Sequence, residues 1–310
     1  MRESCRRGKW RAAFPHEKGA IGTAPSCRIR SLVSTYLFIF FDNMGISRGR
    51  LRLLMGSRAG NHMLLSDFIE KRFSTFDKDS IGADLLWSAL EEWLAGEFEV
   101  DGLYYGTYPV GVTASGLSSL HQRGLWKVTY PAAFLEAVAG NPLGDDRVTA
   151  FVLEHRRPCF WHHDETWAGA TQTQMQRRLL NRLHGMDVGL GLPVLYGSGQ
   201  ICGGYGLRHG PQDGRAFDRL LEGRVDSLAE QLAAFDATFR TPFAQACFAL
   251  SRQETRVLSL IAGGMTVAQA AWEMEISPKT AEAYLAAARR KTRSRSTAEA
   301  VAKAIFFQIV

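Results

Sequence analysis

Five cysteines in 310 residues, at Cys5, Cys27, Cys159, Cys202 and Cys247, are too few, too scattered and odd in number to build a metal cage or a secreted disulfide framework. That scatter fits a reducing compartment. The chain also lacks a long apolar run. The longest, Leu32 to Phe41, is broken by Ser34 and Thr35 and is too short to cross a bilayer. A signal-peptide core of that length would be followed by small residues at a cleavage site, whereas Phe41-Asp42-Asn43 follows. No fixed-period repeat and no low-complexity tract is present. The expectation is a cytoplasmic protein that needs no membrane, no cofactor and no metal.

Hydrophobic residues make up 46% of the sequence, enough for two domains with their own cores. The formal charge of +6 hides an uneven distribution. Residues 1–62 hold twelve Lys and Arg against three acids, residues 63–244 sixteen against twenty-three, and residues 245–310 nine against five. A basic tail after an acidic middle is the charge pattern of a protein that meets nucleic acid at its C-terminal end. The first 62 residues are arginine-rich and poorly periodic and end in the turn-like run Gly56-Ser57-Arg58-Ala59-Gly60-Asn61. They are expected to be a basic extension outside any folded domain or, given Met44, Met55 and Met63, a misassigned start. A basic arm that binds DNA or membrane is the alternative.

The C-terminal stretch is the most informative. Ser251-x-x-Glu254 is a capping box, in which the serine oxygen takes an orphan amide and the glutamate returns to the cap residue's own amide. Val257, Leu258 and Ile261 follow on one face, and Gly263-Gly264 supplies the left-handed stop. A second helix is expected over Thr266 to Met274, with Val267, Ala270, Ala271 and Met274 facing inward. After a turn at Glu275-Ile276-Ser277, Ser277 caps a third helix whose first residue, Pro278, needs no intrahelical donor. Ser296-x-x-Glu299 opens a fourth, with Ala300, Val301, Ala304 and Ile305 as its apolar stripe. In a helix-turn-helix of this order, Lys279, Thr280, Glu282, Ala283 and Tyr284 lie where the third helix meets base edges, and Arg289, Arg290 and Lys291 where it meets phosphates.

These residues, from Leu250-Ser-Arg-Gln-Glu254 through Gly263-Gly264 and Ile276-Ser277-Pro278-Lys279-Thr280 to Ala300-Val301, resemble the C-terminal domain of the LuxR family. The resemblance implies that the third helix enters the major groove and that the fourth helps to dimerise. The target would then be an inverted repeat in double-stranded DNA, read by a homodimer. Three positions depart from the family pattern: Tyr284 stands for a usual histidine, Thr292-Arg293 for Leu-Gly, and Thr297 for arginine.

The middle region mixes helix and strand periods. Helices are expected over Ile81 to Leu94, Arg147 to Arg156, Thr171 to Leu183 and Gly214 to Phe235. Strands are expected over Phe98 to Tyr108, Val188 to Leu195 and Gln200 to Leu207, the last two joined at Tyr196-Gly197-Ser198-Gly199. The order, with Tyr130-Pro131-Ala-Ala-Phe134, Asp146-Arg147-Val148, Arg157-Pro158-Cys159-Phe160-Trp161 and Gly189-Leu-Gly191-Leu-Pro193, resembles the LuxR-type autoinducer-binding domain. The fold class implied is α/β plus α: an N-terminal α-β-α sandwich sensor over 63–239, a linker over 240–249, and a four-helix helix-turn-helix domain over 250–310. The resemblance assigns Tyr130, Phe134, Val138, Asp146 (or its neighbour Asp145), Trp161 and Gly191 to the pocket of an acyl-homoserine lactone. Phe134 and Val138 replace a usual tryptophan and tyrosine, so two hydrogen-bond donors are gone and a less polar signal is implied.

Two other readings stand beside a small-molecule sensor. The same chain would serve as a regulator controlled by a partner protein or by no ligand at all. A metal-dependent enzyme would use His162, His163 and Asp164, but adjacent side chains diverge on either a helix or a strand, which weighs against one shared ion.

Overall fold

The computed structural model describes residues 62–76, 81–109, 124–139, 146–196 and 199–310, so the expected basic extension and Asp145 lie outside the described residues, His62 apart. Five strands form one antiparallel sheet: β1 Val100–Thr107, β2 Leu125–Val128, β3 Cys159–Phe160, β4 Gly189–Tyr196 and β5 Gln200–His209, in the order β2-β1-β5-β4-β3. Alternation along the strands gives the sheet two different faces. Leu103, Tyr105, Leu190, Leu192 and Leu207 point into the larger core, which α1 (Leu65–Arg72), α2 (Ala83–Phe98), α7 (Gly214–Leu221) and α8 (Val225–Phe248) close with Leu90, Leu94, Phe217 and Phe239. Each such fully buried side chain contributes about 1.5–3 kcal/mol. A separate cluster on the other side joins α3 (Ala132–Ala137), α4 (Arg147–His155), α5 (Asp164–Trp167) and α6 (Gln172–Leu183) through Phe134, Val138, Phe151, Trp161 and Trp167. This is the α-β-α sandwich expected.

Two expectations need correction. The single helix over Gly214 to Phe235 is two, because Gly223 adopts φ +67 and turns the chain between α7 and α8. Residues 240–248, expected as linker, are the last turns of α8; Phe243, Ala244 and Phe248 continue its buried face and Pro242 sits inside the helix. Only Ala249, at φ 46, Leu250 and the N-cap Ser251 separate α8 from the next helix.

The C-terminal region is α9 (Arg252–Ala262), α10 (Val267–Glu273), α11 (Pro278–Lys291) and α12 (Thr297–Phe306) around Val257, Leu258, Ala270, Ala281, Leu285, Ala288 and Ala300. The capping box at Ser251 forms both ways, with the Ser251 amide donating to Glu254 Oε2 at 2.6 Å and the Glu254 amide to Ser251 Oγ at 3.3 Å. At Ser296 the box is half made: Ser296 Oγ accepts from Glu299, but the Glu299 carboxylate takes the amide of Arg295 instead. Thr266 and Gln269 make a full capping box that the sequence reading passed over. Of the two stop glycines, Gly264 holds the left-handed conformation, at φ 90.

The family departure at Thr292-Arg293 has a structural counterpart. Thr292 is buried and donates to the Ala288 carbonyl at 2.8 Å, while Arg293 takes φ 52, a conformation in which a glycine would be unstrained. Buried Lys303 secures this corner by donating to the carbonyls of Thr292 and Arg293, both at 3.0 Å.

The far end of α12 does not stand free. Phe307 is buried in the larger core with its ring 5.4 Å from that of Phe248, and the Arg240 guanidinium lies 4.9 Å over Phe306. Arg240 belongs to a buried polar group beneath the sheet. It is ion-paired with Asp236, which also accepts from Tyr105 Oη at 2.6 Å. Burial opposes the Arg240 charge, but Asp236 outweighs it and the guanidinium pKa is raised; burial and the same carboxylate push up the Tyr105 phenol.

Candidate functional site

The second face of the sheet is paved with glycine. Across the strands Tyr104 pairs with Gly206 and Gly206 with Gly191, while Gly106 pairs with Gly204. The missing side chains are what let aromatic rings lie against the backbone. A Cβ on Gly206 would sit 2.2 Å from Tyr130 Oη, one on Gly189 2.4 Å from the Trp161 ring, and one on Gly191 2.9 Å from Val148.

Four of the six expected pocket residues meet above this floor, and a fifth, Gly191, belongs to it. Tyr130 stacks edge-on to Phe134 and Trp161, each with ring centroids 6.1 Å apart, and Phe134, Val138 and Trp161 are buried in one cluster. Gly191 lies under the same cluster, against Val148, Val152 and Cys159. Asp146 stands at its edge as the N-cap of α4, where Oδ2 accepts the Thr149 amide at 3.3 Å. Its Oδ1 carries no hydrogen bond among the described residues. The Asp146 charge is felt at Tyr104, Tyr130 and Cys159, and in each of these burial is the larger cause of a raised pKa.

Sequence reasoning missed two phenols. Tyr104 and Tyr108 are hydrogen-bonded to each other, and Tyr104 stacks on Tyr130 at 6.5 Å. Burial pushes the Tyr108 phenol up to about 12 and the Tyr104 and Tyr130 phenols well above their usual range, so all three remain protonated donors at neutral pH. The signal was the Tyr104-x-Gly106-x-Tyr108 alternation, which sets both phenols on the glycine face. The Cys159 thiol, also pushed to about 12 by burial, is inert. Trp161 is 6% exposed, and its indole Nε1 has no hydrogen-bond partner among the described residues.

On the C-terminal unit, α11 buries Ala281, Leu285 and Ala288 against the other three helices. Lys279, Glu282, Ala283 and Arg290 are exposed on its other side, with Thr280, Tyr284 and Arg289 half-buried between. Ser277 caps the helix by accepting the Thr280 amide at 3.1 Å. Lys291 is engaged internally: its ammonium donates to Glu254 Oε2 at 2.6 Å and to the Ala249 carbonyl at 2.9 Å. Burial works against the Glu254 charge, yet Lys291 and the Ser251 amide hold its pKa below the usual carboxylate range.

The expectation that neighbouring histidines diverge, which weighed against a shared ion, is not met here. The chain leaves β3 at Phe160 and turns, so that His162 and His163 both reach Asp218 on α7, while Asp164 lies 3.7 Å from Arg178.

Residues 249–304 match the family described as "Bacterial regulatory proteins, luxR family". No curated protein matches the chain. Among solved structures, Escherichia coli SdiA is similar at 16% identity, covering 78% of this chain and 95% of SdiA, with a TM-score of 0.45. "SdiA in complex with octanoyl-rac-glycerol" is similar at 17% identity, covering 77% and 92%, with a TM-score of 0.44. The "phage VqmA-DPO complex" follows at 16% identity, 72% and 93% coverage and a TM-score of 0.20. These three likenesses are too distant to assign any residue. The family match falls on the four helices whose caps, glycine stop and outward basic face have just been described, and residues 249–304 are a LuxR-type helix-turn-helix domain.

Proposed function

We propose that the chain is a cytoplasmic, ligand-sensing regulator. A sensor domain over 63–239 takes an acyl-homoserine-lactone-like or less polar molecule against the glycine-paved sheet face, and a domain over 250–310 binds promoter DNA as a homodimer. The observation that carries the sensing half is the orphan indole of Trp161. A buried N–H without an acceptor costs about 1–3 kcal/mol. A ligand carbonyl beside it would remove that cost, with the Asp146 Oδ1 acceptor and the buried Tyr130 phenol at hand for other polar atoms. Phe134 and Val138 leave the remaining wall apolar. Binding to the folded state alone would stabilise it by mass action, about 2.7 kcal/mol at a hundredfold excess over Kd.

Thermal denaturation of the full chain with acyl-homoserine lactones, octanoyl-glycerol and aryl analogues tests this. An upward shift with one class, lost in Trp161→Phe and Asp146→Asn, is expected. A second reading, regulation without a ligand, draws on the way Tyr130 and Trp161 already fill the glycine floor. A stable protein indifferent to every compound would favour it.

For DNA, the reading uses Lys279, Thr280, Glu282, Ala283, Tyr284, Arg289 and Arg290 on the open side of α11, with Lys291 serving the domain's own packing. Ile305, 53% exposed on α12, offers an apolar contact to a second copy. Arg290→Ala is expected to weaken binding to all sequences alike and to lower the slope of log affinity against log salt by about one, measured by fluorescence anisotropy. An unchanged slope would remove Arg290 from the interface.

A further inference from the structure

We propose that His162, His163 and Asp218 form a binding site for a divalent ion of the zinc class, separate from the aromatic core and from the DNA-binding helices. His162 Nε2 and His163 Nε2 lie 3.0 and 2.9 Å from the same oxygen, Asp218 Oδ1. One potential donor atom from each of the three residues falls within 4.8 Å of the other two. In a tetrahedral site with bonds of about 2.0–2.1 Å, neighbouring ligand atoms stand roughly 3.3 Å apart. The two histidine–carboxylate separations need only a few tenths of an ångström of adjustment to admit an ion, and the two imidazole nitrogens, within 4.8 Å of each other, would draw together by up to about 1.5 Å.

The convergence is built by the fold. Adjacent histidines face one point because the chain has left β3 and has not yet entered α5, so neither strand nor helix geometry separates them. Packing then fixes both rings. His163 stacks on Phe160 at 4.5 Å, and His162 fits against Gly214, where an added Cβ would come within 2.6 Å of its ring. The two imidazole planes meet at 78°, with centroids 4.6 Å apart. Asp218 comes from the first turns of α7, whose Phe217 anchors that helix in the main core.

The donor set selects the ion. Two imidazoles and one carboxylate suit Zn²⁺, with Cu²⁺ and Ni²⁺ as competitors, whereas Mg²⁺ and Ca²⁺ require oxygen-rich sites. The His162 side chain is 13% exposed, and those of His163 and Asp218 are each 41% exposed, so the site opens to solvent and water can complete the coordination.

An ion here would tie the turn after β3 to α7. Trp161, the residue before the ligands, lies in the aromatic core, so metal occupancy would stiffen one wall of that core. The site shares no residue with the proposed ligand pocket, and either can fail without the other.

The test uses the full chain, stripped of metal, titrated with ZnCl₂ by calorimetry and followed by thermal denaturation. One Zn²⁺ per chain and a raised Tm are expected, with MgCl₂ and CaCl₂ inert at the same concentration. His163→Ala and Asp218→Asn, both at half-exposed positions, should fold normally and each weaken zinc binding by at least about tenfold. Co²⁺ substitution should give the visible spectrum of a tetrahedral N/O site, lost in both variants. Zinc that leaves Tm unchanged, or that binds both variants as tightly as the parent, would overturn the proposal; in the latter case the ligands lie elsewhere in the chain.

Discussion

Replacing Asp236 by alanine is expected to cost about 3–5 kcal/mol, because it leaves the Arg240 guanidinium buried without its counter-charge. Asp236 is 2% exposed and Arg240 7%, and Arg240 Nε already lacks a hydrogen-bond partner among the described residues, so Asp236 carries most of the compensation. Tyr105 Oη would lose its acceptor in the same step. For a folded unit of this size the loss corresponds to a fall in Tm of roughly 6–20 °C, read by circular dichroism. The double variant Asp236→Leu, Arg240→Met provides the control. An apolar pair of similar volume should recover most of the stability, since a buried ion pair is costly to break and nearly neutral to replace whole. If Asp236→Ala melts within a degree or two of the parent, the pair is exposed in solution and the account of this core is wrong.

Phe307→Ala should cost a similar amount, about 3–5 kcal/mol, but with a different signature. Phe307 belongs to the last turn of the DNA-binding domain, yet it is fully buried in the core of the sheet domain against Phe248. Its removal takes away a fully buried apolar contact between them while leaving the core around Val257, Leu258 and Leu285 intact. The parent is expected to unfold in one transition and the variant in two, resolved by calorimetry. One transition in both proteins would show that the two domains are not coupled through Phe307.

The C-terminal helices were legible almost residue by residue, because their boundaries are set by local chemistry. Ser251, Ser277 and Pro278 start helices and Gly264 stops one through groups within four residues. The sheet was legible where strands were long, and β2, with four residues, was not. The break at Gly223 was hidden by a hydrophobic pattern that runs through it in helical register. The continuation of α8 past Arg240 was hidden by Pro242, which ordinarily ends a helix. Of the site, Tyr130, Phe134, Trp161 and Gly191 could be named from the resemblance, but not their stacking, nor Tyr104, Tyr108 and the glycines Gly106, Gly204 and Gly206. Asp218 lies 55 residues from His163, and nothing local links the two. The Asp236–Arg240 pair was passed over because its i, i+4 spacing is the commonest surface pattern on a helix, and only the fold buries it.

The most direct test of the central claim is selection of bound duplexes from a random-sequence pool by the purified full chain, repeated with Thr280→Ala and Arg290→Ala. Enrichment of one motif with two-fold symmetry, bound with steep salt dependence and lost or broadened in the two variants, is the predicted result. Retention of DNA without any enriched sequence, or enrichment that both variants reproduce unchanged, would contradict the assignment of α11 as the element that reads promoter DNA.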